Sequence, residues 1–161
     1  MPVYHFTFHA YRSWRPDHPR GYVRRNEGIL PPDPEQAKRY DARAKQEPVT
    51  FDTAVQQVLI RGAIDICTRR RWRLHAVGTD PSHVHLVVSW RAYFPYSEVM
   101  RQLKNVLSYL LGLQIGPRGR RWFVRNGSHR RVKDDRHLNH LVETYLPDHP
   151  GLFWCEGRPI P

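Results

Sequence analysis

An alternation of apolar and other side chains predicts a strand near the start of the chain. In residues 3–11 every second side chain is apolar, and these side chains are Tyr4, Phe6, Phe8 and Ala10. A period of two is typical of a strand with one buried face. The same reasoning predicts strands at 72–77 and 83–90, joined by a turn of sequence GTDPS, and a short, interrupted strand within 122–132.

Apolar residues at helical spacing predict three helices. Asp52 can cap the first helix, over about 53–71, and the second covers about 97–111 before a Gly-rich segment ends it. Asp134 or Asp135 can cap the last helix. The side chains that share one face of this last helix are Leu138, Leu141, Val142 and Tyr145.

The predicted order of elements, β-α-β-β-α-β-α, indicates an α+β fold. It fits a ferredoxin-like sandwich, in which helices pack on one face of an antiparallel sheet. Residues 12–48 interrupt the pattern, because they are rich in Arg, Pro and Gly and show only a helical turn near 35–45. We therefore expect a single domain over 1–161 with a long, basic, Pro-rich insert at about 12–48. A connection of this length is either functional or partly mobile.

Charge and hydropathy limit the classes of function. The 161 residues include 26 Lys and Arg against 15 Asp and Glu, a formal net charge of +11. This excess favours a polyanionic partner, either nucleic acid or an anionic membrane surface. No apolar run approaches the roughly 20 residues that cross a bilayer, and the first residues do not form a signal peptide. With only 2 cysteines and hence no disulfide framework, we expect a soluble, cytoplasmic protein.

Two histidines at the start of an apolar strand are the first candidate for chemistry. His83 and His85 are two residues apart, so on a strand their side chains point to the same side. Two adjacent neutral imidazoles can hold a divalent metal ion, and a metal ion bound there could polarise a phosphate oxygen of a nucleic acid. The alternative is that each imidazole only hydrogen-bonds a neighbouring loop.

A tyrosine and a third histidine near the end of the chain extend this hypothesis. Tyr145 ends the last predicted helix, and His149 follows four residues later. Residues at this spacing share a helix face, so a nucleophile and a third ligand could approach the same ion. Tyr145 also continues an apolar stripe, however, and periodicity alone favours a core residue over a nucleophile.

These segments resemble a known family. The sequence HVHLVV at 83–88, a following helix that contains Lys104, and the sequence WFVRNGSHRRVKDDRHLNHLVETYLPDHPG at 122–151 resemble the HUH tyrosine transposases of single-stranded-DNA insertion sequences and their REP-associated relatives. The resemblance extends over nearly the whole chain. The 12–48 insert is similar to that of a subgroup encoded by stand-alone genes.

The resemblance implies a function and its residues. His83, His85 and His149 would bind Mg²⁺ or Mn²⁺, and Tyr145 would attack a phosphate of single-stranded DNA, which in this family carries hairpins. The products would be a 5′-phosphotyrosine and a free 3′-hydroxyl, and a later attack by another 3′-hydroxyl would rejoin the strands. The family's members commonly act as dimers, so the resemblance also implies a homodimer.

One residue departs from the expected pattern. Pro147 lies between Tyr145 and His149, and a proline there ends the helix near Leu146. Either the following turn still brings His149 to the metal, or the site consists of two histidines with water and substrate oxygens. Alternatively the protein is a domesticated, non-catalytic nucleic-acid-binding protein on the same fold. A third hypothesis is a metal phosphodiesterase that uses water as the nucleophile.

Basic and aromatic residues give a less specific signal. Lys104 resembles a family position on the second helix near the site, and we predict that it contacts phosphate. The other predicted nucleic-acid contacts are Arg69, Arg70, Arg121 and Arg131, although each such residue is more often part of a solvated surface. Interleaved aromatic side chains can stack on unpaired bases. These side chains include Trp14, Tyr22, Trp122 and Phe123.

Overall fold

A computed structural model describes residues 1–24, 27–91 and 93–161, with the side chain of Val23 left out. The strands are β1 (Val3–His9), β2 (Tyr22–Arg24), β3 (Gly28–Leu30), β4 (Arg73–Thr79), β5 (His83–Ser89), β6 (Ser128–Arg131) and β7 (Phe153–Cys155). The helices are α1 (Pro34–Ala42), α2 (Thr53–Arg70), α3 (Tyr96–Gln114) and α4 (Asp135–His140). A π-helical turn, Leu141–Tyr145, continues α4 without a break.

The main sheet has the order β6-β1-β5-β4-β7, and every neighbouring pair is antiparallel. The elements β1, α2, β4, β5, α3 and β6 form the β-α-β-β-α-β unit of a ferredoxin-like sandwich. The predicted α+β fold class is therefore confirmed. In the register of β1 with β5, Thr7 lies opposite His85 and His9 opposite His83, so these polar residues share one face of the sheet.

One face of the sheet carries the main hydrophobic core. Phe6 and Phe8 from β1 and Leu86 from β5 pack there against α2 and α3, which contribute Leu59 and Leu103. The alternation read from the sequence thus describes β1 and β5 correctly: their even-numbered side chains are buried in this core. The two long helices pack on one face, as predicted.

The C-terminal helical segment lies on the other face of the sheet. A second, smaller cluster forms there, and it consists of Ala76, Val87, Val132, Leu141 and Leu146. This face is also the one that carries the imidazoles of β1 and β5. The fold therefore covers the polar side of the sheet with the segment that contains Tyr145.

Several elements differ from the predicted pattern. The strand expected within 122–132 is reduced to Ser128–Arg131, and an isolated bridge between Ala10 and Phe123 precedes it. The β2–β3 hairpin and β7 were not predicted, because strands of three residues are too short to show a period. Among the residues that the structure describes, no helix has both the length and the apolar character needed to span a membrane.

Candidate metal and nucleophile site

Three imidazoles meet on the polar face of the sheet. His83 and His85 project from β5, and His149 reaches them from the turn that follows the π-helical segment. One ring nitrogen of each lies within 4.8 Å of those of the other two. This convergence is the arrangement that a single metal ion requires.

The hydrogen bonds of two of these rings leave the same nitrogen free. The Nδ1 atom of His83 lies 2.8 Å from the Ser82 hydroxyl oxygen and 3.0 Å from a carboxylate oxygen of Asp80. The Nδ1 atom of His149 lies 2.9 Å from the carbonyl oxygen of Tyr145. When Nδ1–H donates to an oxygen, Nε2 keeps its lone pair. Metal-binding histidines are usually held in this way, by a carboxylate or a backbone carbonyl.

His85 is held from β1 in the same manner. Its Nδ1 lies 2.9 Å from the hydroxyl oxygen of Thr7 and 2.9 Å from Nε2 of His5. Its own Nε2 is buried and has no hydrogen-bond partner among the described residues. A buried polar atom without a partner calls for an explanation, and a metal ion on Nε2 would provide one. The three residues therefore fit a divalent cation.

The protonation state of the rings suits the same purpose. Burial, with smaller contributions from the neighbouring imidazoles, lowers the pKa of His85 to about 2. Burial also lowers the pKa of His83 to about 4, although Asp80 opposes the change. Both rings are neutral at neutral pH, so a metal ion need not displace a proton from them.

Tyr145 stands beside this group and is not part of the core. Its ring centre is 4.9 Å from that of His149 and 5.5 Å from that of His85, and the residue is 41% exposed. Together with His83 and His85 it lines a cleft of about 450 Å³. The phenol and the imidazoles come from the same chain.

The helical segment ends before Pro147, and the turn after it still brings His149 to His83 and His85. The π-helical turn closes with a hydrogen bond from the Leu146 amide to the Leu141 carbonyl, 3.0 Å long. The His149 amide then donates to the Leu146 carbonyl at 3.3 Å. Of the two arrangements considered for a helix that ends before Pro147, the structure has the one in which the following turn brings His149 to His83 and His85.

A buried polar network holds the chain beyond His149. The side-chain oxygen of Gln56, on α2, accepts hydrogen bonds from the Thr79 hydroxyl at 2.8 Å and from the Leu152 amide at 2.9 Å. Gly151 lies so close to Thr79 that an added Cβ would stand 2.1 Å from the Thr79 carbonyl oxygen. Only glycine fits there, and the contact locks the third histidine's segment onto β4.

Several residues that support the imidazoles or line the cleft had no predicted role. His5 and Thr7 support His85 from β1, and Asp80 supports His83 from the turn. A signal existed for the first two, because polar side chains on one side of a strand must face something polar when that side is covered. Further cleft residues that had no assigned role are His9, Arg130, His137 and His140.

The five predicted nucleic-acid contacts lie elsewhere in the described part of the chain, because none of them lines the cleft. The ammonium of Lys104 donates to the carbonyl oxygens of Val124 and Arg125, so it holds the 122–127 segment against α3. Lys104 and Arg121 both line a separate groove of about 830 Å³ between α3 and that segment.

The other three predicted contacts are on the surface. Arg69 and Arg70 end α2, and Arg69 pairs with Asp65 at 2.9 Å. Arg131 is exposed on β6. The contacts of these basic residues with DNA stay a prediction.

Comparisons with known proteins give a family and a fold. The model of the family described as IS200-like transposases matches residues 42–125, a range that includes His83 and His85 and ends before Tyr145. A solved structure of a REP-associated tyrosine transposase bound to a REP hairpin is similar, with a TM-score of 0.50 and 13% identity. That match covers 88% of this chain and 62% of the neighbour, so the chain spans less than two thirds of that protein's length.

A second solved structure matches along nearly its whole length. It is the crystal structure of a candidate transposase from Deinococcus radiodurans R1, with a TM-score of 0.54, 13% identity and 94% of each chain covered. At this identity both neighbours establish the fold alone. A search of the curated proteins by sequence finds no match.

Proposed function

The chain belongs to the family of IS200-like transposases, and from this premise we propose that it nicks and rejoins single-stranded DNA through a covalent bond to Tyr145. The observation that carries the proposal is the position of the phenol. Its ring lies beside three imidazoles whose nitrogens are within 4.8 Å of one another. A nucleophile next to a metal site is what transfer of a phosphodiester requires.

His83, His85 and His149 are the proposed metal ligands, each through Nε2. The bound ion would supply Lewis acidity, which offsets the negative charge that develops on a phosphate under attack. Of Mg²⁺ and Mn²⁺, Mn²⁺ suits this site better, because Mg²⁺ prefers oxygen ligands and keeps its waters.

The chemistry of the protein itself is an exchange of phosphodiester bonds. The Tyr145 oxygen loses its proton and bonds to phosphorus, while the bond from phosphorus to the 3′-oxygen breaks. The 3′-oxygen takes up a proton, and the 5′-phosphate stays on the tyrosine. A second 3′-hydroxyl then attacks the phosphotyrosine, which restores the phenol. Because each step exchanges one phosphodiester for another, no nucleotide cofactor is needed.

The proposed substrate is single-stranded DNA that carries a hairpin. The net charge of +11 favours a polyanion, and the similar REP-associated transposase was solved with a REP hairpin. The groove beside α3, with Arg101, Arg120, Arg121 and Arg125 in its wall, offers a surface of matching charge outside the cleft. The proposed active form is a homodimer of single-domain chains. Light scattering of the purified protein would test the dimer.

Denaturing electrophoresis tests the proposal. The protein is mixed with Mn²⁺ and labelled single-stranded hairpins taken from the DNA that flanks its own gene. We expect a labelled band at the mass of protein plus DNA, which survives boiling in detergent and is lost in Tyr145→Phe. Tyr109→Phe is the matched control, because Tyr109 is exposed on α3 and should keep the band.

The other two readings give different outcomes. Cleaved DNA without a covalent band indicates a phosphodiesterase that uses water. A salt-sensitive mobility shift without cleavage indicates a binding protein. Either result contradicts the proposed role of Tyr145.

A further inference from the structure

The 12–48 insert brings an aromatic ring to the cleft. Trp14 lines the same cleft as His83, His85 and Tyr145, although it belongs to the segment that follows β1. It is 39% exposed, whereas the other tryptophans, Trp72, Trp90, Trp122 and Trp154, are at most 9% exposed. An exposed indole beside a proposed catalytic group is not explained by the transfer chemistry.

The ring of Trp14 is held in place by other aromatic rings. It stacks on His18, with the ring centres 4.3 Å apart and the planes only 17° from parallel. The ring centre of His9, whose own ring is near His83, lies 6.2 Å from that of Trp14, and the two planes are 63° apart. A ring that is already oriented loses little conformational entropy when a flat ligand stacks on it.

The backbone before Trp14 is held in an energetically unfavourable conformation. Arg12 adopts a left-handed conformation, with φ of 62°, which is unfavourable for a residue other than glycine. Its guanidinium bonds to the Asp41 carboxylate and donates to the Gln46 carbonyl at 3.2 Å. Arg15 donates to the same carboxylate at 2.8 Å. Asp41, at the end of α1, thus clamps the chain on both sides of Trp14, and strained backbone held in this way is common at ligand sites.

We propose that Trp14 stacks on the unpaired base of a nucleotide adjacent to the phosphate that Tyr145 attacks. The inference rests on the proposed function, since it names the part of the substrate that the insert recognises. A base can stack on an indole only when it is unstacked from its own strand, so the contact selects single-stranded DNA over a duplex. Arg130, in the wall of the same cleft, supplies a positive charge for the flanking phosphates.

Tryptophan fluorescence and binding affinity test this contact together. Because Trp14 is the one exposed tryptophan of the described residues, quenching on addition of single-stranded DNA reports on it. We expect the quenching in the Tyr145→Phe protein and its absence in Tyr145→Phe with Trp14→Phe. Trp14→Ala should weaken binding about 5- to 150-fold, as expected for loss of one stacked base, and Trp14→Phe should keep most of the affinity.

A double-mutant cycle locates the base. Abasic sites are introduced one at a time along the hairpin DNA, and the affinity of each oligonucleotide is measured for Tyr145→Phe with and without Trp14→Ala. We expect one abasic position, next to the nick made by the wild-type protein, to weaken binding only when Trp14 is present. Tyr109→Ala removes an exposed aromatic side chain on α3 and should leave affinity unchanged.

The outcomes separate the two proposals. Losses that add at every position, or an unchanged affinity of Trp14→Ala, overturn the stacking and leave the cleavage proposal intact. A coupled position remote from the nick overturns the adjacency. Absence of a covalent product from the wild-type protein overturns the cleavage instead, since binding by Tyr145→Phe does not depend on it.

Discussion

The side chain of Leu146 links the stability of the fold to the geometry of the site. It lies between Tyr145 and Pro147, it is 0% exposed, and it packs in the small cluster on the polar side of the sheet. Its Cβ is so near β4 that a Cβ added to Gly78 would stand 3.1 Å away. Leu146→Ala removes this anchor without touching a proposed ligand or the nucleophile.

Two magnitudes follow from this placement. Removal of a fully buried leucine side chain costs about 2–5 kcal/mol of unfolding free energy, because the cavity only partly collapses. The Leu146 backbone also accepts the hydrogen bond of the His149 amide, so the third ligand becomes less well positioned. Loss of support for a metal ligand typically weakens metal binding about 10- to 100-fold, and we expect a fall of that size.

The assay compares two leucines. Leu103 is also 0% exposed but packs in the core on the helix-covered face. Urea unfolding should show a similar loss of stability for Leu103→Ala and Leu146→Ala, while calorimetric titration with Mn²⁺ should show weaker binding only for Leu146→Ala. Wild-type Mn²⁺ affinity in Leu146→Ala, or an equal loss in Leu103→Ala, would refute the claim that the turn positions the third histidine.

Three further predictions concern protonation, a lysine and a carboxylate. Without metal, the unfolding free energy should fall as the pH drops from 6.5 towards 4. Burial lowers the pKa of both His5 and His83 to about 4, so only the unfolded protein takes up protons on these two rings in that range. Each ring contributes up to about 1.4 kcal/mol per pH unit, and a flat profile in urea unfolding with a chelator would contradict this. Lys104→Met should cost about 1.5–3 kcal/mol in urea unfolding for each lost carbonyl bond. Because these carbonyl oxygens hold the ammonium, we expect the salt dependence of DNA binding to be unchanged, and a slope lower by about 0.7 would instead support the phosphate contact predicted from the sequence. Asp80→Asn should weaken Mn²⁺ binding at least about 10-fold in calorimetry, and the same change at Asp65, which pairs with Arg69 on α2, should have no effect.

The parts of the site that could be predicted follow from short-range geometry. The period of a strand places His83 and His85 on one side, and the same period places Phe6 and Phe8 in the core. The end of the last helix before Pro147 was also predictable, because proline excludes a continuing helix. For these features a few neighbouring residues decide the outcome.

The parts that could not be predicted depend on contacts between distant segments. The return of His149 to the other two imidazoles depends on a π-helical turn and on Gln56, which lies almost a hundred residues earlier in the chain and holds the segment through Leu152. The ammonium of Lys104 finds carbonyl oxygens that no spacing in the sequence indicates. The clamp on the insert likewise requires Asp41 to meet arginines far from it in sequence.

The proposed function depends on three imidazoles of one chain that hold a metal ion beside that chain's own tyrosine. A crystal structure of the protein grown with Mn²⁺, with the ion located by its anomalous scattering, tests this most directly. We expect one ion bound by Nε2 of His83, His85 and His149, with the Tyr145 hydroxyl of the same chain facing the ion's open side. An ion bound through other residues, or a Tyr145 hydroxyl turned away from the ion, would contradict it.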